Sequence, residues 1–353
     1  MRIIGIIIVA VAALVGIAAW GPGAMQTMRF APPPVDPSIE TLFDRAATPL
    51  RRERADLFGA EDLEAGPDGR LYASLADGRI MARTPGLDGD WIETGNTGGR
   101  PLRLAFAPDG TLFVADARRG LLARTPDGWE TWLAGAEDGG PLVFTDDLTV
   151  LRDGRIVLTD ASLRHGYGDH LESFIAGDQT GRILMVTAPG EYETLADGLA
   201  FINGVDHDPQ TGRVYVNETW SGRIWQLDPE SGNMHVLVEG LPGYPDNLEF
   251  DTETGLIWSA LPSQRAADLE ALHPRPFVKR LVWRWIQLTG FPPLPPRPAM
   301  AIAVDTDGTP VHALLGPEED ADGITSIIVW DGEIWTSGLA RDGITVFARP
   351  ESD

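Results

Sequence analysis

The sequence predicts an all-β fold: a six-bladed β-propeller, preceded by an N-terminal transmembrane helix and carrying a short helical insert in blade five. Three observations predict it. The first is the stretch Leu104–Arg124, where Leu104 and Phe106, then Leu112 and Val114, alternate on either side of the turn Pro108-Asp109-Gly110. Alternating apolar residues flanking an Asp-Gly turn mark a β-hairpin. The second is recurrence. Comparable turn glycines stand at Gly69, Gly110, Gly154, Gly212, Gly255, Gly308 and Gly332, with gaps of 41, 44, 58, 43, 53 and 24 residues. A unit of about 40–45 residues holding several short strands is the spacing of a propeller blade. The third is the apolar run Ile3–Trp20, 18 residues without a charge behind Met1-Arg2, which is long enough for a membrane span.

Taken in order, residues 1–20 are expected to be a transmembrane anchor, with a cleaved signal peptide as the alternative. An uncleaved anchor would leave Arg2 on the cytoplasmic side and the propeller outside the cytoplasm. Residues 21–56 read as a tether rich in proline (Pro22, Pro32, Pro33, Pro34, Pro37), followed by a segment able to supply a ring-closing strand to the last blade. Residues 57–349 form the propeller. Blade one begins near Glu61, blade two near Pro101, blade three near Phe144, blade four at Phe201 and blade five near Tyr244; the last blade is Thr325–Phe347. Gly308 belongs to the outer strands of blade five, which makes the count six. Blade five is interrupted by residues 261–298, where Phe277, Val278, Leu281, Val282, Trp285 and Leu288 fall at helical spacing among Lys279, Arg280 and Arg284. That helix suits packing on the propeller, a lid over its mouth, or contact with lipid.

Composition excludes several functions. Net charge is −24, from 52 acidic and 28 basic residues. A nucleic-acid partner is not expected, because phosphate binding needs a basic face. There is no cysteine, which excludes disulfides, thiol catalysis and zinc–thiolate sites. The sequence contains no phosphate-binding loop, dinucleotide fingerprint, Gly-x-Ser-x-Gly or His-Glu-x-x-His.

Where several blades begin stands a polar residue that strand formation does not require. Glu61 precedes Asp62-Leu63, Asp146 precedes Asp147-Leu148, Asn203 precedes Gly204-Val205, and Asp246 precedes Asn247-Leu248. Equivalent positions of a propeller meet near its axis at one mouth. Four oxygen-bearing side chains there suit a hard divalent cation, calcium above all. The turns then lie on the opposite face, so the long connections Ala161–Thr180 and Leu261–Pro298 overhang the mouth. Arg164, His165, Tyr167, His170 and Glu172 are thereby placed near the site, and Trp220 lies in a mouth-side connection.

Several stretches carry a resemblance: Phe144-Thr-Asp-Asp-Leu148 with Leu158-Thr-Asp-Ala-Ser162, Gly181-Arg-Ile-Leu184, Phe201-Ile-Asn-Gly-Val205, Leu241-Pro-Gly-Tyr-Pro-Asp-Asn247, and Asp331-Gly-Glu-Ile-Trp-Thr-Ser-Gly-Leu339. Together they resemble the strictosidine synthase-like family, within the wider calcium propellers that include gluconolactonase, regucalcin and paraoxonase. The insert His273-Pro-Arg-Pro-Phe277 is similar to the membrane-anchored branch, which includes adipocyte plasma membrane-associated protein. The resemblance implies a ligand set of one Glu, two Asn and one Asp. Glu61, Asn203 and Asp246 match, and Asp146 stands where the family has Asn. Asp147 and Asn247 would support or join the ligands.

The function expected is calcium-dependent hydrolysis of a small-molecule lactone or ester, of lactonase or arylesterase type. Asp246 or Asp147 would activate water, with His165 or His170 as alternatives. A strictosidine-type synthase and a non-enzymatic binding scaffold stay open. The synthase needs a glutamate late in the propeller, where this chain reads Asp322-Gly-Ile-Thr325.

Overall fold

A computed structural model of the chain describes residues 24–350, apart from 54–55, 87–88, 291–297, 299 and 317–322, together with Gly16 and Gly21. The expected span Ile3–Trp20 lies outside the described residues except for Gly16, and so does Asp322. Among the described residues no helix is long and apolar enough to cross a membrane.

The described chain forms six four-stranded antiparallel sheets arranged as a propeller. The innermost strands are β2 (Asp62–Ala65), β6 (Pro101–Phe106), β10 (Thr145–Val150), β14 (Ile202–His207), β18 (Leu248–Asp251) and β22 (Ser326–Trp330). Each packs against the innermost strands of both neighbouring blades, and β22 returns to β2. Closure comes from the N-terminal strand β1 (Pro49–Glu53), which pairs with β24 (Ile344–Ala348) as the outer strand of the last blade. Arg51 reinforces this seam with a two-pronged ion pair to Glu333, 2.5 and 2.6 Å.

Period-two alternation builds the core. In β11 (Ile156–Asp160), Ile156 and Leu158 face blade two while Val157 faces blade four. In β15 (Val214–Glu218), Val214 and Val216 face blade three while Tyr215 faces blade five. Successive strand side chains point to opposite faces, so each blade is apolar on both sides and hides neither alone. A separate hydrophobic cluster fills each of the six blade interfaces. All seven glycines that marked the repeat have φ between 72° and 88°, a region where side chains other than hydrogen are strained. Six of them turn the inner hairpins. Gly308 turns β20 (Met300–Val304) into β21 (Pro310–Leu315), the outer pair of blade five, as the repeat spacing required.

The connections at one end carry the inserts. Helix α1 (His170–Ala176) lies between β11 and β12 (Gly181–Ala188). Helix α2 (Pro276–Thr289) lies between β19 (Leu256–Leu261) and β20, close to the helix that sequence periodicity placed. Proline at its first position and Gly290 at φ 69° bound it. The proline-rich segment before β1 differs from expectation. It is extended, as the prolines require, but it is bonded onto both inserts and onto the connection that follows blade four rather than free of them. Met28 N–H donates to Ala176 O (2.9 Å), Asp36 N–H to Gly240 O (2.9 Å), and Arg265 donates to Pro33 O (2.7 Å). Lys279 of α2, fully buried, donates to Met28 O (2.8 Å) and Ala176 O (3.0 Å). An ammonium on the last carbonyl of α1 complements that helix's dipole and ties all three segments together.

Candidate active site

The first residues of the six blades form a ring at this end. Glu61, Leu102, Asp146, Asn203, Asp246 and Thr325 come one from each blade, and all six line a single cavity of about 350 Å³. The four residues chosen from sequence are therefore brought together. Their placement differs in one detail. Asp146 and Asn203 lie inside β10 and β14 rather than ahead of them, at irregularities in strand register between Thr145 and Leu148 and between Ile202 and Val205. A bulge re-aims a side chain that regular pleating would point elsewhere.

The backbone around the ring is fixed by neighbouring blades. Asp246 O accepts from Gly204 N (3.1 Å) and from Asn217 Nδ2 (2.6 Å), while Asp246 N–H donates to Ala260 O (2.9 Å). A Cβ at Gly204 would meet Asp246 O at 2.4 Å, so the residue after Asn203 must be glycine for the blades to approach this closely. Asn217, which fits a glycosylation sequon, is fully buried in this role. Glu61 O accepts from Asn247 Nδ2 and Thr325 Oγ1, both at 3.2 Å.

The polar ends of the ring are less satisfied. Glu61 Oε2, Asp146 Oδ2 and Asn203 Oδ1 are buried and have no hydrogen-bond partner, although such atoms are normally paired. Burial pushes Glu61 and Asp146 well above the usual carboxylate range; Asp246 adds to both, and Arg100 opposes the shift at Glu61. Burial pushes Asp246 up to about 7, against a hydrogen bond from Asn203. Buried carboxylates that repel one another and leave oxygens unpaired gain most from a divalent cation. The donor chemistry fits such an ion. Among the described residues, however, no group of three or more His, Asp or Glu side chains is arranged to hold a metal by itself; Asn203 would have to complete the set.

Above the ring the cavity is mostly apolar. Phe144, Phe174, Phe201, Trp220 and Tyr244 wall it, in edge-to-face and tilted contacts 4.6–5.9 Å apart. Both inserts reach it, through Tyr167, His170 and Leu171 on one side and Pro262, Ser263 and Leu269 on the other.

The remaining candidates separate. His170, in the first turn of α1, lines the cavity. His165, Arg164 and Glu172 are not among its lining residues; His165 Nδ1 stands 3.2 Å from Asp178 Oδ2 and holds the loop. Asp147 is not on the cavity wall either. One of its oxygens accepts from Leu148 N (2.6 Å) and lies 3.3 Å from Arg103, and the other accepts from Val205 N (3.0 Å). Asn247 is likewise off the wall, donating to Glu61.

Sequence reasoning missed two arginines. Arg100 is buried, donates to Gly59 O (3.0 Å) and Tyr167 Oη (3.1 Å), and is the cation nearest Glu61 in effect. Arg103 lies one layer below the ring, within 3.1–3.7 Å of Asp62, Asp147, Glu249 and Glu64. The available signal was a charged residue inside the apolar strand Pro101-Leu-Arg-Leu-Ala-Phe106.

Comparison with known proteins agrees with this architecture. A family described as SMP-30/Gluconolactonase/LRE-like region matches residues 92–270, and one described as strictosidine synthase-like, N-terminal, matches residues 53–83. Strictosidine synthase-like 4 of Arabidopsis thaliana is 31% identical over 260 residues, covering 71% of this chain and 69% of that protein. Adipocyte plasma membrane-associated protein of Rattus norvegicus is 32% identical over 190 residues, covering 51% of this chain and 50% of that protein, so the chain matches about half of that relative's length. Among solved structures, a calcium-binding protein, regucalcin, from Agrobacterium tumefaciens superposes with a TM-score of 0.60 at 15% identity, covering 86% of this chain and 94% of that one. At that identity the likeness is one of fold.

Proposed function

The chain belongs to the SMP-30/Gluconolactonase/LRE-like family, and from that premise we propose that it is a calcium-dependent hydrolase of apolar lactones or esters, held at a membrane by residues 1–20. One observation carries the reading: three unpaired buried oxygens, from Glu61, Asp146 and Asn203, open onto the floor of a cavity walled by aromatic rings. Glu61, Asp146, Asn203 and Asp246 would hold the cation. When bound, it supplies Lewis-acid polarisation of a substrate carbonyl and stabilises the oxyanion that develops there.

The chain's own residues do the rest. Phe174, Phe201 and Trp220 bind the apolar body of the substrate and exclude bulk water, which strengthens every charge interaction at the floor. His170 is the imidazole on the wall, and we assign it the proton taken from the attacking water. Asp246 shares the wall but belongs to the cation set. Asp147 and His165, the other bases weighed from sequence, do not line the cavity. Regucalcin's description as a calcium-binding protein supports the choice of ion, and the gluconolactonase in the family's description supports the choice of reaction.

The test is turnover of an alkyl- and aryl-lactone panel with calcium or with chelator. Apolar lactones are expected to outrun sugar lactones. Glu61→Ala should lose both turnover and any calcium-induced rise in melting temperature. His170→Gln should lower kcat about 10²–10⁴-fold and keep that rise. A calcium-induced rise with no turnover above the Glu61→Ala/Asp246→Ala control would reject hydrolysis and favour the binding scaffold.

A further inference from the structure

Helix α2 carries two apolar faces. Lys279, Val282, Trp283 and Ile286 fall on one stripe and pack inward over α1 and Met25. Phe277, Leu281, Trp285 and Leu288 fall on the opposite stripe. Phe277 is 38% exposed, Trp285 50% and Leu288 79%, the last being the most exposed large apolar side chain among the described residues. Large apolar side chains grouped on one exposed helix face mark a contact surface.

Charge identifies the partner. The protein carries a net charge of −24, yet the stretches Met1–Val35 and Ala271–Val304 contain no Asp or Glu. The described parts of these two stretches pack against each other at the cavity end. Met28 O accepts from Lys279, and Phe30 N–H donates to His273 O. Arg29 and Arg275 are exposed there, and Arg280 and Arg284 lie along α2. Met25 stands five residues after the apolar run Ile3–Trp20 in sequence and sits in the same hydrophobic cluster as Ile286.

We propose that the outer face of α2 lies on an anionic lipid bilayer, with Phe277, Trp285 and Leu288 in the interfacial layer and the arginines at headgroup level. A polar, acid-rich surface elsewhere and a basic, apolar surface here is the pattern of an interfacial helix. This proposal stands on the helix and the charge distribution, and it does not depend on hydrolysis.

The chain lacks cysteine, so a single introduced thiol can be labelled without background. In the full-length protein, Leu288→Cys is labelled with an environment-sensitive fluorophore and compared with Asp127→Cys, in the β8–β9 (Gly120–Thr125, Gly128–Ala134) hairpin at the opposite end. With vesicles containing phosphatidylserine, the label at 288 should shift to the blue and be quenched several-fold by lipid-borne quenchers, while the label at 127 should not change. The shift should shrink in phosphatidylcholine vesicles or high salt. Vesicle-bound protein with an unshifted label at 288 overturns the proposal, as does failure to bind vesicles. A shift in detergent that grows with protein concentration also overturns it, because a second copy of the chain would then cover the helix.

Discussion

Two layers of the central channel, one residue apart in sequence, solve the same electrostatic problem differently. The lower layer holds Asp62 and Asp147, with Glu64 and Glu249 beneath, and supplies its own cation: Arg103 sits 3.1–3.7 Å from all four. Its oxygens are also bonded to backbone, as where Leu104 N–H and Val205 N–H donate to Asp62 and Asp147. The upper layer holds Glu61, Asp146 and Asp246, leaves oxygens unpaired, and has Arg100 acting only on Glu61. A layer that carries its own guanidinium is structural. On the proposed reading, a layer that leaves its carboxylates uncompensated would keep a place for an external cation. Compensated and uncompensated carboxylates are thus divided between consecutive residues of the same strands.

The largest effect expected from this division is in the lower layer. Arg103→Met leaves several buried carboxylates without a counter-charge, and breaking such a pair costs about 3–5 kcal/mol. Thermal melting should fall by roughly 5–10 °C, with or without calcium. If Arg103→Met melts like the parent, the lower carboxyls are all neutral and the contrast between layers fails.

The next effect belongs to the upper layer. Calcium at a hundred times its Kd should stabilise the parent protein by about 2.7 kcal/mol, read as a melting shift that chelator reverses. Glu61→Gln should abolish that shift. In chelator alone the same variant should melt at or slightly above the parent, because it removes a carboxylate that Asp246 and Asp146 repel. A Glu61→Gln protein that melts lower in chelator would mean that Glu61 is structural, like the layer below.

These contrasts were partly legible in the sequence. Blade number, ring closure by an N-terminal strand, the helix of α2 and four of the six residues of the cavity ring followed from local signals: period-two alternation, Asp-Gly turns, helical spacing, and a polar residue repeated where blades begin. The roles of Arg100 and Arg103 did not, because an arginine becomes a channel cation only when carboxylates about 40 residues before it and up to about 150 residues after it converge there through the closed ring. Asp147 looked as reactive as Asp146 for the same reason. Adjacent strand residues point to opposite sides, but the bulge that sends Asp146 into the cavity and Asp147 into the channel leaves no mark in composition. The packing of the proline-rich segment was hidden too. Prolines predict an extended chain, but not the surface to which its carbonyls bond.

The smallest effect tests whether the lower layer is fully compensated. Burial pushes Glu64 up to about 8 despite Arg103, and burial holds Glu249 well above the ordinary range. A carboxyl whose folded value exceeds its unfolded value binds a proton in the folded state that the unfolded state has released. Stability from Glu64 is therefore complete below about pH 4.5 and declines as pH rises toward 8. One such group gives a slope of at most about 1.4 kcal/mol per pH unit. Glu64→Gln keeps the shape and removes the titration, so its chemical-denaturation stability should lose about 1 kcal/mol less than the parent's between about pH 6 and 7. Parallel profiles would mean that Arg103 already holds Glu64 ionised across this range. The guanidinium would then balance all four carboxylates it contacts, and the two layers would differ fully in compensation.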